Sequence, residues 1–320
     1  MLPDDSPAVT AAAGQLDAWL TGSAAKAGRY CDDIYFRESW QQAREVLPDP
    51  EAVLRANTYV LIKPETVATG RLERLLTLIR ERGYRLLDLI PVPLDRHRTR
   101  AMWQYQLNAA PLATIAAVDL IISCGPSAVA LLAEEPGARQ PGLSASERLS
   151  AMKGVSFGTR QPTDLRRLLG GTTRLLSFLH VPDEPADMVR EFGIWFDHTA
   201  RGRAYRILAG GDVTSEPAIM AAIRRLERDA GVLELDLDRA LDTVARAVTA
   251  EDGAAEAGAA EAGAARLRQV RNWLSGEPEA ATLLELVHWL TGLTAVPAGD
   301  RALIASHLVQ LERPERPPLL

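Results

Sequence analysis

Thr173–Phe196 reads TRLLSFLHVPDEPADMVREFGIWF, an apolar run, a histidine, a turn and a helix in direct succession. Leu175, Leu176, Phe178 and Leu179 form a run too short for a helix, which predicts a buried strand. Pro182 and Pro185, with Asp183 and Glu184 between them, mark a turn and an acidic helix start. Met188, Phe192 and Trp195 or Phe196 then recur at helical spacing. His180 therefore falls where a strand hands over to a helix, and Glu191 lies far enough along that helix to fold back towards it. Taken alone, a single histidine among apolar residues is more often a satisfied core group than a catalyst.

A second stretch shifts that balance. Tyr59–Leu72, YVLIKPETVATGRL, is a β-rich run ending in Lys-Pro and followed by Gly70 and an amphipathic pattern. Together the two stretches resemble the nucleoside diphosphate kinase family, whose first strand ends in Lys-Pro-Asp-Gly-Val. That family's phosphorylated histidine lies upstream of a helix ending in Gly-Leu-Trp-Phe. Lys63, Pro64, Val67 and Gly70 match the first motif, with Glu65 and Thr66 in place of Asp-Gly. Glu191, Gly193, Trp195 and Phe196 match the end of the second, and His180 aligns with Glu191 without a gap. Between them, Ser123–Val129 (SCGPSAV) resembles the family's Ser-Gly-Pro-Val segment, read here as a strand-to-helix turn.

Composition narrows the class of protein. At 320 residues the chain is long enough for about two domains. Its 47% apolar and 24% charged residues are ordinary for a soluble protein, and a net charge of −6 leaves no basic excess for a nucleic-acid partner. Two cysteines, Cys31 and Cys124, supply neither a disulfide framework nor a metal cluster and fit a reducing compartment. The absence of a long apolar span and of an apolar leader points to a cytoplasmic protein with no membrane partner.

In chain order, residues 1–51 read as a helical N-terminal extension, with helices over Ala11–Ala27 and Arg29–Leu47. Asn57–Lys63 is the first strand, Thr69–Arg82 a helix stopped by Gly83, and Tyr84–Leu94 a second strand. Asp95–Gln106 reads as a helix capped by Asp95, Asp119–Ser123 as a third strand, and Pro126–Glu134 as a helix. A loop, Lys153–Arg167 and the strand and helix around His180 follow. This order predicts an α/β (α+β) fold over 52–200, a ferredoxin-like antiparallel sheet sandwich of the kind the resemblance also implies. Residues 201–320 read as a helical C-terminal domain. Within it, Ser215 caps a segment carrying Ile219, Ile223 and Leu226, and Leu237, Leu241, Val244 and Val248 make a second stripe. A Gly/Ala/Glu low-complexity linker spans 253–265, before amphipathic segments at Leu267–Leu274, Ala280–Leu290 and Asp300–Leu311. His288 and His307 have no second ligand at metal spacing and read as structural.

The resemblance implies transfer of a γ-phosphoryl group from ATP through a phosphohistidine to a second acceptor, a nucleotide or a specialised metabolite. It gives His180 the role of nucleophile and Glu191 that of its orienting partner. Lys63, Arg167, Arg160 and Lys153 become phosphate-binding cations, with Arg166 in reserve, because charge on the transferring group needs fixed cations. Ser177 replaces the family's sugar-binding asparagine, and Tyr105, with Trp103, is the nearest aromatic to the position that stacks the base. Asp183 matches the acidic position beside a bridging Mg2+. The family's histidine motif, Asn-x-x-His-Gly-Ser-Asp, becomes Ser177-x-x-His180-Val181-Pro182-Asp183, which predicts altered base and acceptor contacts. Competing readings are an inactive nucleotide-binding or scaffolding module of the same fold, and an ordinary nucleoside diphosphate kinase of relaxed sequence. A homo-oligomer is also in keeping with the resemblance.

Overall fold

The computed structural model describes residues 16–155, 159–212, 214–251, 257–277, 281–312 and 317–320. Four strands, β1 (Asn57–Ile62), β2 (Tyr84–Val92), β3 (Ser127–Glu134) and β4 (Leu179–His180), form one antiparallel sheet in the order β2-β3-β1-β4. β1 runs against β3 from Asn57↔Ala133 to Ile62↔Ala128, and against β4 at Leu61↔His180. This register puts His180 beside the carboxyl end of β1, next to Lys63. The fold is α+β, with helices on both faces of the sheet.

Alternation along the strands separates two cores. Tyr59, Leu61, Val129 and Leu131 face the helices Ile34–Val46 and Pro185–Trp195, meeting Phe36, Ala43, Met188 and Phe192. Val60, Ile62, Ala130 and Leu132 face the opposite way, onto Leu75, Leu78 and Ile79 of the helix Leu72–Glu81 and onto Ala145 and Leu149 of Ala145–Lys153. The N-terminal helices thus share a core with the sheet, as does His198–Leu208 through Ala204, Tyr205 and Ile207. Ile223 and Leu226 of the helix Glu216–Asp229 join the second core. A third core lies between the helix Leu112–Ile122 and the helices Leu237–Glu251, Ala257–Leu274, Leu283–Gly292 and Ala298–Leu308.

Several expectations need correction. The expected third strand at Asp119–Ser123 is the end of the helix Leu112–Ile122, and the expected helix at Pro126–Glu134 is β3. Leu112–Ile122 is apolar almost throughout because core residues contact it on more than one side, so it lacks an amphipathic stripe. β3 is buried along nearly its whole length between β1 and β2, so it lacks strand alternation too. Ser123–Val129 is consequently a helix-to-strand turn. The expected strand over Leu175–Leu179 shrinks to β4, because Phe178 adopts φ 67°, a left-handed conformation that interrupts an extended run. The helix expected over Thr69–Arg82 starts later, at Leu72, because Gly70 adopts φ 66°, a left-handed conformation that separates it from a short helix, Pro64–Ala68, that was not expected.

The N-terminal helix begins at Ala24, capped by the Ser23 side chain, and runs to Tyr30, so Gly28 lies inside it and the break expected between Ala27 and Arg29 is absent. The expected start at Ala11 lies outside the described residues. Asp33 caps Ile34–Val46, and Asp95 caps Arg96–Met102. Of the linker expected at 253–265, residues 257–265 are helical and 253–256 lie outside the described residues. Among the described residues, no helix is long and apolar enough to cross a membrane.

The seating of the Glu191 helix depends on Gly193. A Cβ at this position would lie 2.2 Å from the Tyr35 carbonyl oxygen in the helix Ile34–Val46. Backbone cannot step aside as a flexible side chain can, so Gly193→Ala is expected to cost about 1–3 kcal/mol. Gly28→Ala meets nothing within 4 Å and is expected to gain about 0.5–1 kcal/mol from helix propensity. Urea unfolding of the two variants tests this, and equal midpoints would refute the close-packing account.

Candidate active site

The chain turns from β4 into the helix Pro185–Trp195 through the short segment 181–184. Glu184 and Asp187 form a reciprocal capping box at the helix start, fixing its direction. Glu191 is thereby brought back over β4, where His180 Nε2 and Glu191 Oε1 lie 2.9 Å apart. The second oxygen, Oε2, accepts from the Tyr59 hydroxyl, and Trp195 Nε1 donates to Tyr59 Oη at 3.0 Å. Tyr59 is fully buried, and burial followed by the neighbouring Glu191 charge pushes its phenol well above the usual range. It therefore remains a donor at neutral pH, holding the carboxylate in place.

This relay has a direct consequence for His180. In the neutral imidazole, a carboxylate against Nε2 selects the tautomer with its proton on that nitrogen, and Nδ1 then carries the lone pair. Nδ1 has no hydrogen-bond partner among the described residues. Trp103 meets the imidazole edge-on, with ring centroids 5.6 Å apart. The ring is thus held on two sides with one nitrogen free to act as a nucleophile.

His180 lies in the wall between two cavities, of about 350 Å³ and about 810 Å³, which also share Trp103, Gln106 and Arg166. Lys63, Ser177 and Arg174 line the smaller one, and Tyr105, Lys153, Asp183 and Glu191 the larger. Lys63 Nζ pairs with Glu65 Oε1 at 2.8 Å and donates to the Leu175 carbonyl at 2.8 Å and to Ser177 Oγ at 3.1 Å. Glu65 also accepts from the Phe178 amide at 3.0 Å, while Thr66 donates to the Phe178 carbonyl. The first residues after β1 thus hold the left-handed turn that delivers His180.

The cations divide into distinct groups. Arg166 is buried, donating to the Gly154 carbonyl at 2.7 Å and facing both cavities, and desolvation lowers its guanidinium to about 10. Arg167 is exposed and lines neither cavity. Arg160 spends its donors on the carbonyls of Val155, Gly171 and Thr173, bracing the loop rather than facing a cavity. Lys153 reaches Asp183 Oδ1 at 2.6 Å and the Val181 carbonyl at 3.1 Å. Tyr105 donates to Asp33 Oδ2 at 3.0 Å.

Burial alone would raise the Asp183 carboxyl, but Lys153 and Ser150 outweigh it and hold the group well below the carboxylate range. A depressed folded pKa stabilises above the unfolded value and loses that contribution as pH falls through the folded one. Between about pH 5 and pH 2 the native chain is therefore expected to lose stability more steeply than Asp183→Asn, as read by denaturant midpoints. Parallel slopes would refute a folded-state Asp183–Lys153 pair.

Several contributors lie beyond the motif matches. Tyr59 sits in an otherwise apolar strand, and a buried tyrosine needs a partner for its hydroxyl, a signal already present in the sequence. Arg174 gives no such signal. From the N-terminal helix, Lys26 reaches Asp187 at 2.7 Å and Tyr30 donates to Asp187 at 2.6 Å; both line the larger cavity. His288 is exposed and His307 half-buried, and among the described residues no cluster of His, Cys, Asp or Glu is built to hold a metal ion.

No protein-family model matches the chain, and no curated protein matches it. A solved structure of an NDP kinase from Pyrobaculum aerophilum is similar over 45% of this chain and 97% of that one, at 16% identity and a TM-score of 0.35. A likeness of that extent leaves the functional reading to rest on the site itself.

Proposed function

We propose that the chain is a phosphotransferase moving the γ-phosphoryl group of ATP through a phosphohistidine on His180 to a nucleotide or metabolite acceptor. The observation that carries the reading is the Trp195–Tyr59–Glu191–His180 relay, which engages Nε2 and leaves Nδ1 without a hydrogen-bond partner among the described residues, at a wall between two cavities. In the first half-reaction the Nδ1 lone pair attacks the γ-phosphorus and the bond to the bridging oxygen breaks, leaving ADP. Nε2 keeps its proton against Glu191, which offsets the positive charge the ring acquires. In the second half, an acceptor oxygen takes the phosphoryl group and the electron pair returns to Nδ1. The strand order β4-β1-β3-β2 supports the ferredoxin-like sandwich as the frame for this chemistry.

Asp183 is the acidic group available to a divalent ion. Its Oδ1 is taken by Lys153 and Ser150, while Oδ2 has no partner among the described residues. One carboxylate oxygen fits Mg2+ carried chiefly by the phosphates of a nucleotide, not a protein-built metal cage. When bound, the ion would neutralise phosphate charge beside His180.

A nucleotide-binding module without transfer is the second reading. It is favoured by the ties of Lys63 to Glu65 and of Lys153 to Asp183, which leave less positive charge for a phosphate. Incubation with γ-labelled ATP and magnesium separates the two. Acid-labile, base-stable label mapped to His180 is expected; a folded chain that binds ATP and takes up no label would sink the transfer and leave the module.

A further inference from the structure

The smaller cavity beside His180 has the wrong wall for a nucleobase. Apolar residues make most of it, among them Leu94, Leu107, Val118, Ile121, Ile122 and Leu175, three of them from the helix Leu112–Ile122. Its polar side chains are largely committed within the protein. Thr99 donates to the Asp95 carbonyl at 2.7 Å. Thr114 donates to Glu312 at 2.7 Å and accepts from Arg174 at 2.5 Å, while Ser177 accepts from Lys63. Gln106, exposed, adds one amide to the lining. A base placed inside would leave ring nitrogens and exocyclic groups without partners, and such unmatched burial costs free energy. The cavity's charge is also one-sided. Lys63, Arg166 and Arg174 line it with His180 and no carboxylate does, although Glu65 pairs with Lys63 at 2.8 Å from outside the lining.

We propose that this cavity holds the acceptor, and that the acceptor is a monophosphate ester of an apolar alcohol, its hydrocarbon body against the wall and its phosphate toward Lys63, Arg166 and His180. A volume of about 350 Å³ is within the usual range for small-molecule sites, about 300–1,000 Å³. This assignment rests on the phosphohistidine reading for its chemistry but not for its binding. In the transfer, the bond between Nδ1 and phosphorus breaks and an oxygen of the acceptor phosphate forms the new P–O bond. The product is the diphosphate ester, and the electron pair stays on Nδ1 with no redox partner required.

The test is calorimetric titration of the full chain with n-octyl phosphate below its micellar concentration, with AMP and with inorganic phosphate. Octyl phosphate is expected to bind at least ~10-fold more tightly than either, the discrimination that hydrocarbon burial gives a small apolar pocket. Ala110→Trp and Val118→Trp, which fill the cavity from different places, are each expected to erase that preference. Two positions are used so that a misfolded variant, recognised by its melting curve, leaves the other to decide. AMP binding as tight or tighter that both fillings remove, or octyl phosphate binding that survives both fillings, overturns the proposal even if His180 is labelled. Octyl phosphate binding that both fillings remove, in a chain that takes up no label, upholds the ligand class and refutes the transfer reading alone.

Discussion

A His180→Ala chain incubated with γ-labelled ATP and magnesium is expected to carry no acid-labile label. Residual nucleotide-dependent transfer is expected to fall by on the order of 10³-fold or more, because no covalent route remains. The imidazole is half-buried and makes one hydrogen bond, to Glu191. Its loss is therefore expected to cost stability only about 1–2 kcal/mol, small enough for a melting curve to confirm a folded chain. Two further variants distinguish a nucleophile from a bystander. Glu191→Gln keeps the shape but removes the charge opposite the ring, and is expected to slow labelling by ~10²–10⁴-fold. Tyr59→Phe leaves the carboxylate in place and removes one donor, so a smaller loss is expected. Label retained in His180→Ala would place the phosphoryl group on another residue and end the proposal.

The second large effect concerns stability. Arg190 is 1% exposed and joins the helix Pro185–Trp195 to Asp33 at 2.8 Å and to the carbonyls of Ala101 and Met102 at 2.6 and 3.1 Å. Its guanidinium also lies over the rings of Tyr30 and Tyr105, 5.5 and 5.1 Å from their centroids. Asp33 accepts in addition from Gln104 and Tyr105 and caps Ile34–Val46. Arg190→Ala leaves a buried carboxylate and two carbonyls without their donor, a loss expected to cost about 3–5 kcal/mol of a total on the order of 5–15 kcal/mol. Arg190→Met with Asp33→Asn should recover part of this, since asparagine keeps the helix cap and no charge is stranded. Denaturant midpoints decide the matter; a loss under about 1 kcal/mol would show that hydrophobic packing alone seats the N-terminal helices. Glu191 is the next residue, so the same variant is also expected to weaken labelling.

The spacing of Thr173–Phe196 is what made the meeting of His180 and Glu191 predictable. A histidine ending a strand and a carboxylate on the next helix face can meet only if the turn between them is tight, and Pro182 and Pro185 make it so. Lys63 at the end of the first strand was legible for a similar reason, since an apolar β-branched run that stops at Lys-Pro ends its strand there. β1, β2 and the C-terminal amphipathic helices were readable because each presents a strand run or an apolar stripe.

Other features depended on contacts between distant segments. Leu112–Ile122 and Ser127–Glu134 are both apolar almost throughout, and burial from several sides erases the periodicity that separates helix from strand. The choice between Arg166 and Arg167 turns on one position. Neighbouring residues on the short helix Leu165–Leu168 point about 100° apart, so one guanidinium enters the core and the next meets solvent. The left-handed turn at Phe178 exists because Glu65 and Thr66, far away in sequence, hold its amide and carbonyl. Local sequence determined the pairing of His180 with Glu191 and the strand end at Lys63 beside them, because those depend on spacing within one or two elements. Tertiary structure alone decided which cations face the cavities, and that the wall beside His180 is apolar, because both follow from where separate elements pack.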